Sequence, residues 1–298
     1  MPEQKEYLRT DMAAECYPSE ESGESLHGIR FTETHDRGFE LSRLTILDRE
    51  GAAILGKPVG SYVTVTVGKI WLDTDERYEQ AVELLADELL SMARTLSPSL
   101  ESVLVAGLGN REITSDAIGP LTVKHLTVTR HIKELDPKLF DRLGSLPLSA
   151  IAPGVIGQTG IETAALIRGA ADTALPSLVL CVDALAAKSV DRLAVTVQLS
   201  DTGIAPGSGI GNHRRAIDRT TVGVPVLAIG VPTVVDSSTM VSDMLERAGV
   251  EEISPSLRRE LDNGRSFFVT VKDTDTATGE MAKLIAAAID RSFCHPMA

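Results

Sequence analysis

The chain has 298 residues, 43% of them hydrophobic, enough for one large domain or two small ones with a sizeable core. Aromatics are only 4%, so that core must rest on Val, Leu, Ile and Ala. With 29 basic against 42 acidic residues and no apolar run of membrane-spanning length, the sequence argues against a general nucleic-acid binder and against a membrane-spanning helical protein.

Residues 1–37 are dense in charge and lack apolar periodicity, which reads as a flexible leader. Met1 to Glu15 has no apolar signal core, so the reading keeps the protein inside the cell that makes it. Residues 38–298 read as a single α/β domain that includes a small β-rich lobe at about 39–70. In that lobe Val63, Val65 and Val67 alternate with Thr64 and Thr66, a half-buried strand, and Leu41, Leu44 and Ile46 supply its partner. Asp73 to Leu96 predicts a long helix capped by Asp73, with Glu76 three residues on. Val82, Leu85, Leu89, Met92 and Leu96 form its apolar stripe, and Pro98 ends it.

From residue 102 onward strands and helices alternate. Strands are expected at 102–106, at 178–182, around Leu193, Val195 and Val197, and at 224–229. Helices are expected at 116–126, 159–171, 236–248 and 277–291. The strand at 193–197 follows the previous one so closely that an antiparallel course is expected. The pattern predicts a three-layer α/β sandwich with a mainly parallel sheet.

Two aspartates stand where apolar strands run out. Asp116 follows Val103–Ala106 and the loop Gly107-Leu108-Gly109-Asn110, and Asp183 directly follows Leu178–Val182. Chemistry in open α/β sheets gathers beyond the carboxyl ends of the strands. Two carboxyls facing each other there suffice to move protons onto and off a hydrolysed bond. An Asp in this position is equally an ordinary helix N-cap. Gly-rich loops at 151–160 and 201–212 can bring bare backbone groups up to an extended peptide, or simply make tight turns. Glu162 is either a third acid or a helix N-terminal charge, and His213, beside two arginines, has no catalytic role.

Cofactor chemistry finds little support. Gly107-Leu108-Gly109 lacks the third glycine of a dinucleotide fingerprint, because that position is Glu112. The six histidines include no i, i+4 pair, so no metal site is visible. Cys16, Cys181 and Cys294 are scattered, and Cys181 reads as a core residue. The expectation is no cofactor and no metal.

Six blocks in order resemble the bacterial spore germination proteases, self-processing endopeptidases that degrade small acid-soluble spore proteins. They are Arg9-Thr10-Asp11-Met12-Ala13-Ala14-Glu15, then 107–120, 151–163, 183–189, 201–209 and 229–236. The resemblance implies Asp116 and Asp183 as catalytic carboxylates and self-cleavage of a zymogen between Asp11 and Met12. It implies small acid-soluble spore proteins as substrates, no direct nucleic-acid or membrane partner, a tetramer, and a place in the spore interior. It also implies a fold similar to the hydrogenase-maturation endopeptidases, whose carboxylates sense nickel, which leaves a metal-bridged pair as the alternative chemistry. A non-catalytic α/β binding protein is the remaining alternative. Around 250–265 the chain is shorter than the pattern of that family.

Overall fold

The computed structural model describes residues 9–18, 26–207, 215–250, 254–262 and 267–294. Its strands are β1 (Ile29–Asp36), β2 (Phe39–Ile46), β3 (Gly60–Thr66), β4 (Val103–Gly107), β5 (Leu148–Ile151), β6 (Leu178–Ala187), β7 (Thr196–Ser200), β8 (Val226–Asp236) and β9 (Phe268–Val269). They make one sheet in the spatial order β1-β2-β3-β7-β8-β6-β4-β5, with β9 paired to β8. The run β8-β6-β4-β5 is parallel. The run β1-β2-β3-β7-β8 is antiparallel throughout. The β-rich lobe is therefore the antiparallel end of the same sheet.

Helices connect and cover the strands. α1 (Arg49–Leu55) joins β2 to β3, and α2 (Asp75–Leu96) leads into β4. α3 (Ile118–His125), α4 (Arg130–Leu135) and α5 (Pro137–Leu143) lie between β4 and β5, while α6 (Ile156–Thr159) and α7 (Thr163–Ala174) lead into β6. α8 (Arg219–Val222) precedes β8, and α9 (Ser237–Arg247), α10 (Pro255–Asp262) and α11 (Thr274–Phe293) follow it. None of the described helices is long and apolar enough to cross a membrane.

The central strands are apolar on both faces because both faces are covered. Val103, Val105, Leu178, Leu180 and Val182 point to one side, where α2, α3 and α11 bury them with Leu85, Leu89, Ile118, Met281 and Ile285. Leu104, Ala106, Val179 and Cys181 point to the other, against Ala164, Ile167 and Ala171 of α7. This strict two-residue alternation makes the three layers.

Three local expectations change. α2 is capped by Thr74, whose side chain accepts from Arg77 N at 3.3 Å, instead of by Asp73. A preceding 3-10 turn, Ile70–Leu72, ends on Asp73 and leaves Thr74 as the last extended residue. The leader is not structureless to residue 37, because Ile29–Asp36 is strand β1. It lies at the sheet edge, mostly exposed, so no apolar alternation marks it. Finally, β6 does not stop before Asp183 but continues to Ala187, because β8 stays beside it as far as the Ala187–Val235 pair.

Candidate active site

Asp183 lies within β6, opposite Gly230 of β8, and only 4% of it is exposed. Its Oδ1 accepts from Ala184 N at 2.9 Å. The neighbouring strand β4 accompanies β6 only to the Gly107–Val182 pair, and Leu108 N then donates to Val182 O at 2.8 Å. Asp183 is thus the first residue of β6 beyond the end of β4. The sequence reading placed it at the end of a strand; the strand that ends there is its neighbour.

Asp116 closes a 3-10 turn, Thr114–Asp116, just before α3. Its Oδ2 accepts from Asn110 N at 2.8 Å, which ties the carboxylate to the loop after β4. Asn110 is fixed in turn: its side-chain Oδ1 accepts from Glu112 N at 3.0 Å and from Gln158 Nε2 at 2.8 Å. The Gly-rich loop at 151–160 therefore supports the Asp116 turn through Gln158. Gly109 has φ +108°, and a Cβ there would stand 2.0 Å from Asp116 O. Only glycine lets the loop fold this closely over the turn.

The turn that carries Asp116 packs against both β6 and β8. Two features bring it there. A Cβ on Gly119 would stand 2.3 Å from Leu108 N and 2.5 Å from Val182 O, so the bare backbone at the start of α3 presses directly on the β4–β6 boundary. Second, the β6–β8 register slips after Leu185–Pro232, and the next pair is Ala186–Val234. The extra residue is Thr233, 3% exposed, and its Oγ1 donates to Ser115 O at 2.6 Å. A bulge beside a functional site re-aims one side chain, and here it hooks the Asp116 turn onto the strand next to Asp183. Pro232 was the available sequence signal, since proline inside a strand run marks an edge or a bulge.

Other residues singled out from sequence lie elsewhere or play quieter parts. Glu162 is exposed at the N-cap of α7 and makes no side-chain cap bond there. Gly209, Gly211 and His213 lie outside the described residues. Cys181 is fully buried; burial pushes its thiol far up, and the nearby Asp183 charge adds to the shift. It is a packing residue and offers no thiolate. Among the described residues no three His, Cys, Asp or Glu side chains converge closely enough to hold a metal ion. A cavity of about 470 Å³ flanks the Asp116 turn, lined by Thr114, Ser115, Thr270, Lys272 and Asp275.

Comparison with known proteins shows which family the chain is similar to. Residues 5–248 match the germination protease family. The chain belongs to that family. A germination protease of Caldanaerobacter subterraneus subsp. tengcongensis is 42% identical over 257 residues, covering 85% of this chain and 76% of the relative. One from Oceanobacillus iheyensis is 44% identical over 79% of this chain and 64% of its own length, and one from Clostridium acetobutylicum is 37% identical over 90% and 81%. A solved NiFe hydrogenase maturation protease from Thermococcus kodakarensis KOD1 aligns with 14% identity and a TM-score of 0.35, over 66% of this chain and 97% of its own. The family match and the germination proteases that cover most of the chain make it a peptidase of the germination protease family.

In this germination protease family member the motif Arg9–Glu15 is docked alongside β6. Asp11 N donates to Ala186 O at 2.8 Å, and Ala186 N donates to Asp11 Oδ2 at 2.9 Å. Asp11 O accepts from Gln198 Nε2 at 3.3 Å, and Ala13 N donates to Gln198 Oε1 at 2.7 Å. Glu15 Oε2 accepts from Lys188 N at 2.6 Å, and its Oε1 accepts from Ser189 N at 3.0 Å. Arg192 Nε stands 3.4 Å from the same carboxylate, whose side chain is 5% exposed. Met12 and Ala13 are wholly buried. Ala186 lies three residues beyond Asp183, or about 10 Å at 3.3 Å per strand residue.

Proposed function

We propose that this peptidase is an aspartic-type endopeptidase that begins the degradation of small acid-soluble spore proteins during germination, with Asp116 and Asp183 as its catalytic pair. What supports this reading is the meeting of the two carboxyl-bearing segments at one end of the sheet. Asp183 is buried on β6 at the point where β4 leaves it, and the Asp116 turn is hooked to β8 by Thr233. Two facing carboxyls cannot both be ionised without cost, and the proposed mechanism gives such a pair one proton to share.

The ionised member takes a proton from water as the water oxygen bonds to the peptide carbonyl carbon. The protonated member gives its proton to the carbonyl oxygen. Collapse of the tetrahedral gem-diol breaks the C–N bond: the proton first taken from water passes to the leaving nitrogen, and the other member takes a proton back from one of the two diol hydroxyls. The products are a carboxyl and an amine, and the pair returns to its starting state.

The chain is made as a zymogen, with residues 1–11 as the segment removed by self-cleavage between Asp11 and Met12. The active form is a homo-oligomer, a tetramer, working in the spore interior without direct contact to nucleic acid or membrane. Incubation of the purified protein with a small acid-soluble spore protein, read on a gel, is the direct test. Cleavage by the wild type that is lost in Asp116→Asn and Asp183→Asn supports the assignment. Near-normal turnover by either variant overturns it.

A further inference from the structure

The edge of β6 next to Asp183 is built to receive a strand. On that edge Val182 O is taken by Leu108 N, the last main-chain link to the β4 side. Main-chain groups of alternate residues face the same edge, so Ala184, Ala186 and Lys188 come next. Ala186 is taken by Asp11 and Lys188 N by Glu15. Between Val182 and Ala186, Ala184 is the most open residue of β6. Because Asp11 reaches Ala186 and Glu15 reaches Lys188 and Ser189, the N-terminal segment runs in the same direction as β6.

The Asp11–Met12 bond divides this segment into two physically different halves. Before it, the contacts are polar and partly exposed: Arg9 N to Thr239 Oγ1 at 3.1 Å, Lys57 Nζ to Thr10 O at 2.8 Å, and the Asp11–Ala186 pair. After it, Met12 is sealed among Leu185, Ala187, Leu193 and Val235, and Ala13 among Leu44, Ile46 and Tyr62. Glu15 is bound by two main-chain N–H groups and Arg192.

We infer that the β6 edge at Ala184–Ala186 is the strand-addition site for an extended peptide substrate, and that Thr10–Asp11 is its built-in occupant. This rests on the reading of the chain as a peptidase acting at Asp116 and Asp183. Main-chain hydrogen bonds hold an added strand and tolerate varied side chains. A cut after Asp11 frees the polar half from the edge, while Met12–Glu15 stays as part of the fold.

The test uses the full chain and its Asp11→Ala variant, which loses the acceptor for Ala186 N. The probe is a labelled heptapeptide of the sequence Arg-Thr-Asp-Met-Ala-Ala-Glu, followed by fluorescence anisotropy for binding and by mass for cleavage. Asp11→Ala is expected to bind the probe about tenfold more tightly than the wild type and to exchange the Ala186 amide hydrogen faster, with the Ala184 amide, held by Asp183 Oδ1, unchanged. N-methylation of the probe backbone is expected to weaken binding about tenfold at alternate residues only. Equal binding by the two chains, or a uniform response to N-methylation, overturns the strand-addition site even if the probe is cut. Alternating sensitivity without any cutting upholds the site and instead removes the peptidase reading.

Discussion

Thr233 of β8 donates its hydroxyl hydrogen to the carbonyl oxygen of Ser115 at 2.6 Å, and this bond fastens the turn that carries Asp116 to the strand beside Asp183. The donor exists because the β6–β8 register slips by one residue there. Replacing Thr233 by Val keeps the shape and leaves Ser115 O without this donor. A loss of about 1–3 kcal/mol is expected from the buried acceptor. The Asp116 turn also loosens, so kcat is expected to fall more than KM rises. Chemical denaturation with steady-state kinetics separates the two effects, and unchanged kcat would show that the hook does not position Asp116.

Asp183→Asn retains an oxygen for Ala184 N, and Asp116→Asn retains one for Asn110 N. Each is expected to fold with a melting temperature near that of the wild type. Each should lose peptide cleavage by at least about a hundredfold, the typical contribution of a general acid or base. Circular dichroism melting and the gel assay on one preparation give both readouts.

Gly109→Ala places a methyl group 2.0 Å from Asp116 O at a φ of +108°. Backbone strain alone costs more than about 1 kcal/mol. The loop must also lift off the turn, which lengthens the Asn110–Asp116 bond. Activity is expected to fall further than stability does. A Gly109→Ala enzyme with wild-type turnover would show that the loop does not govern the carboxylate.

Asp201 provides a pH signature of the fold. Burial pushes its carboxyl above the ordinary value of 3.8, against the opposing bonds from Ser61. The folded state therefore holds the proton more tightly than the unfolded state. Its contribution to stability is complete below the ordinary carboxyl range and is lost as pH rises through the raised value. Asp201→Asn keeps an acceptor for Ser61 N and removes the titration. The melting temperature of the variant relative to wild type is expected to climb as pH rises through and above the ordinary carboxyl range and then level off. A difference independent of pH would mean that Asp201 does not titrate in this way.

Asp11 is docked against Ala186, which lies about 10 Å along β6 from Asp183. In that pose the Asp11–Met12 bond is held away from the proposed pair of its own chain. The proposed self-processing is therefore expected to be intermolecular, with a rate per molecule that rises with protein concentration. Intact-mass time courses over a hundredfold dilution series measure this, and a concentration-independent rate would place the cut within one chain.

The parallel core was legible because strands buried on both faces leave unbroken apolar runs such as Val103–Ala106 and Leu178–Val182. The positions of Asp116 and Asp183 followed from those runs. The far half of β6 was not legible, because Ala184–Ala187 is a stretch of small residues whose strand course depends on β8. β1 escaped notice because an exposed edge strand has no apolar face to advertise. Thr233 was hidden for a different reason: Pro232 signals a bulge, but the bond to Ser115 arises from a slip between two strands far apart in the chain. Docking of Arg9–Glu15 was hidden likewise, since Glu15 finds its partners at 188, 189 and 192.

Thr10 Oγ1 stands as a bridge: it accepts from Met12 N at 3.0 Å and donates to Glu15 Oε2. If the proposed cut removes Thr10 with the leader, Met12 N becomes an α-ammonium, with an ordinary pKa of about 8, one missing hydroxyl away from an anion. The newborn cation and Glu15 can then close on each other. Maturation would thereby replace a neutral relay with an ionic latch, and the shortened protein would be fastened by a terminus that did not exist before the cut.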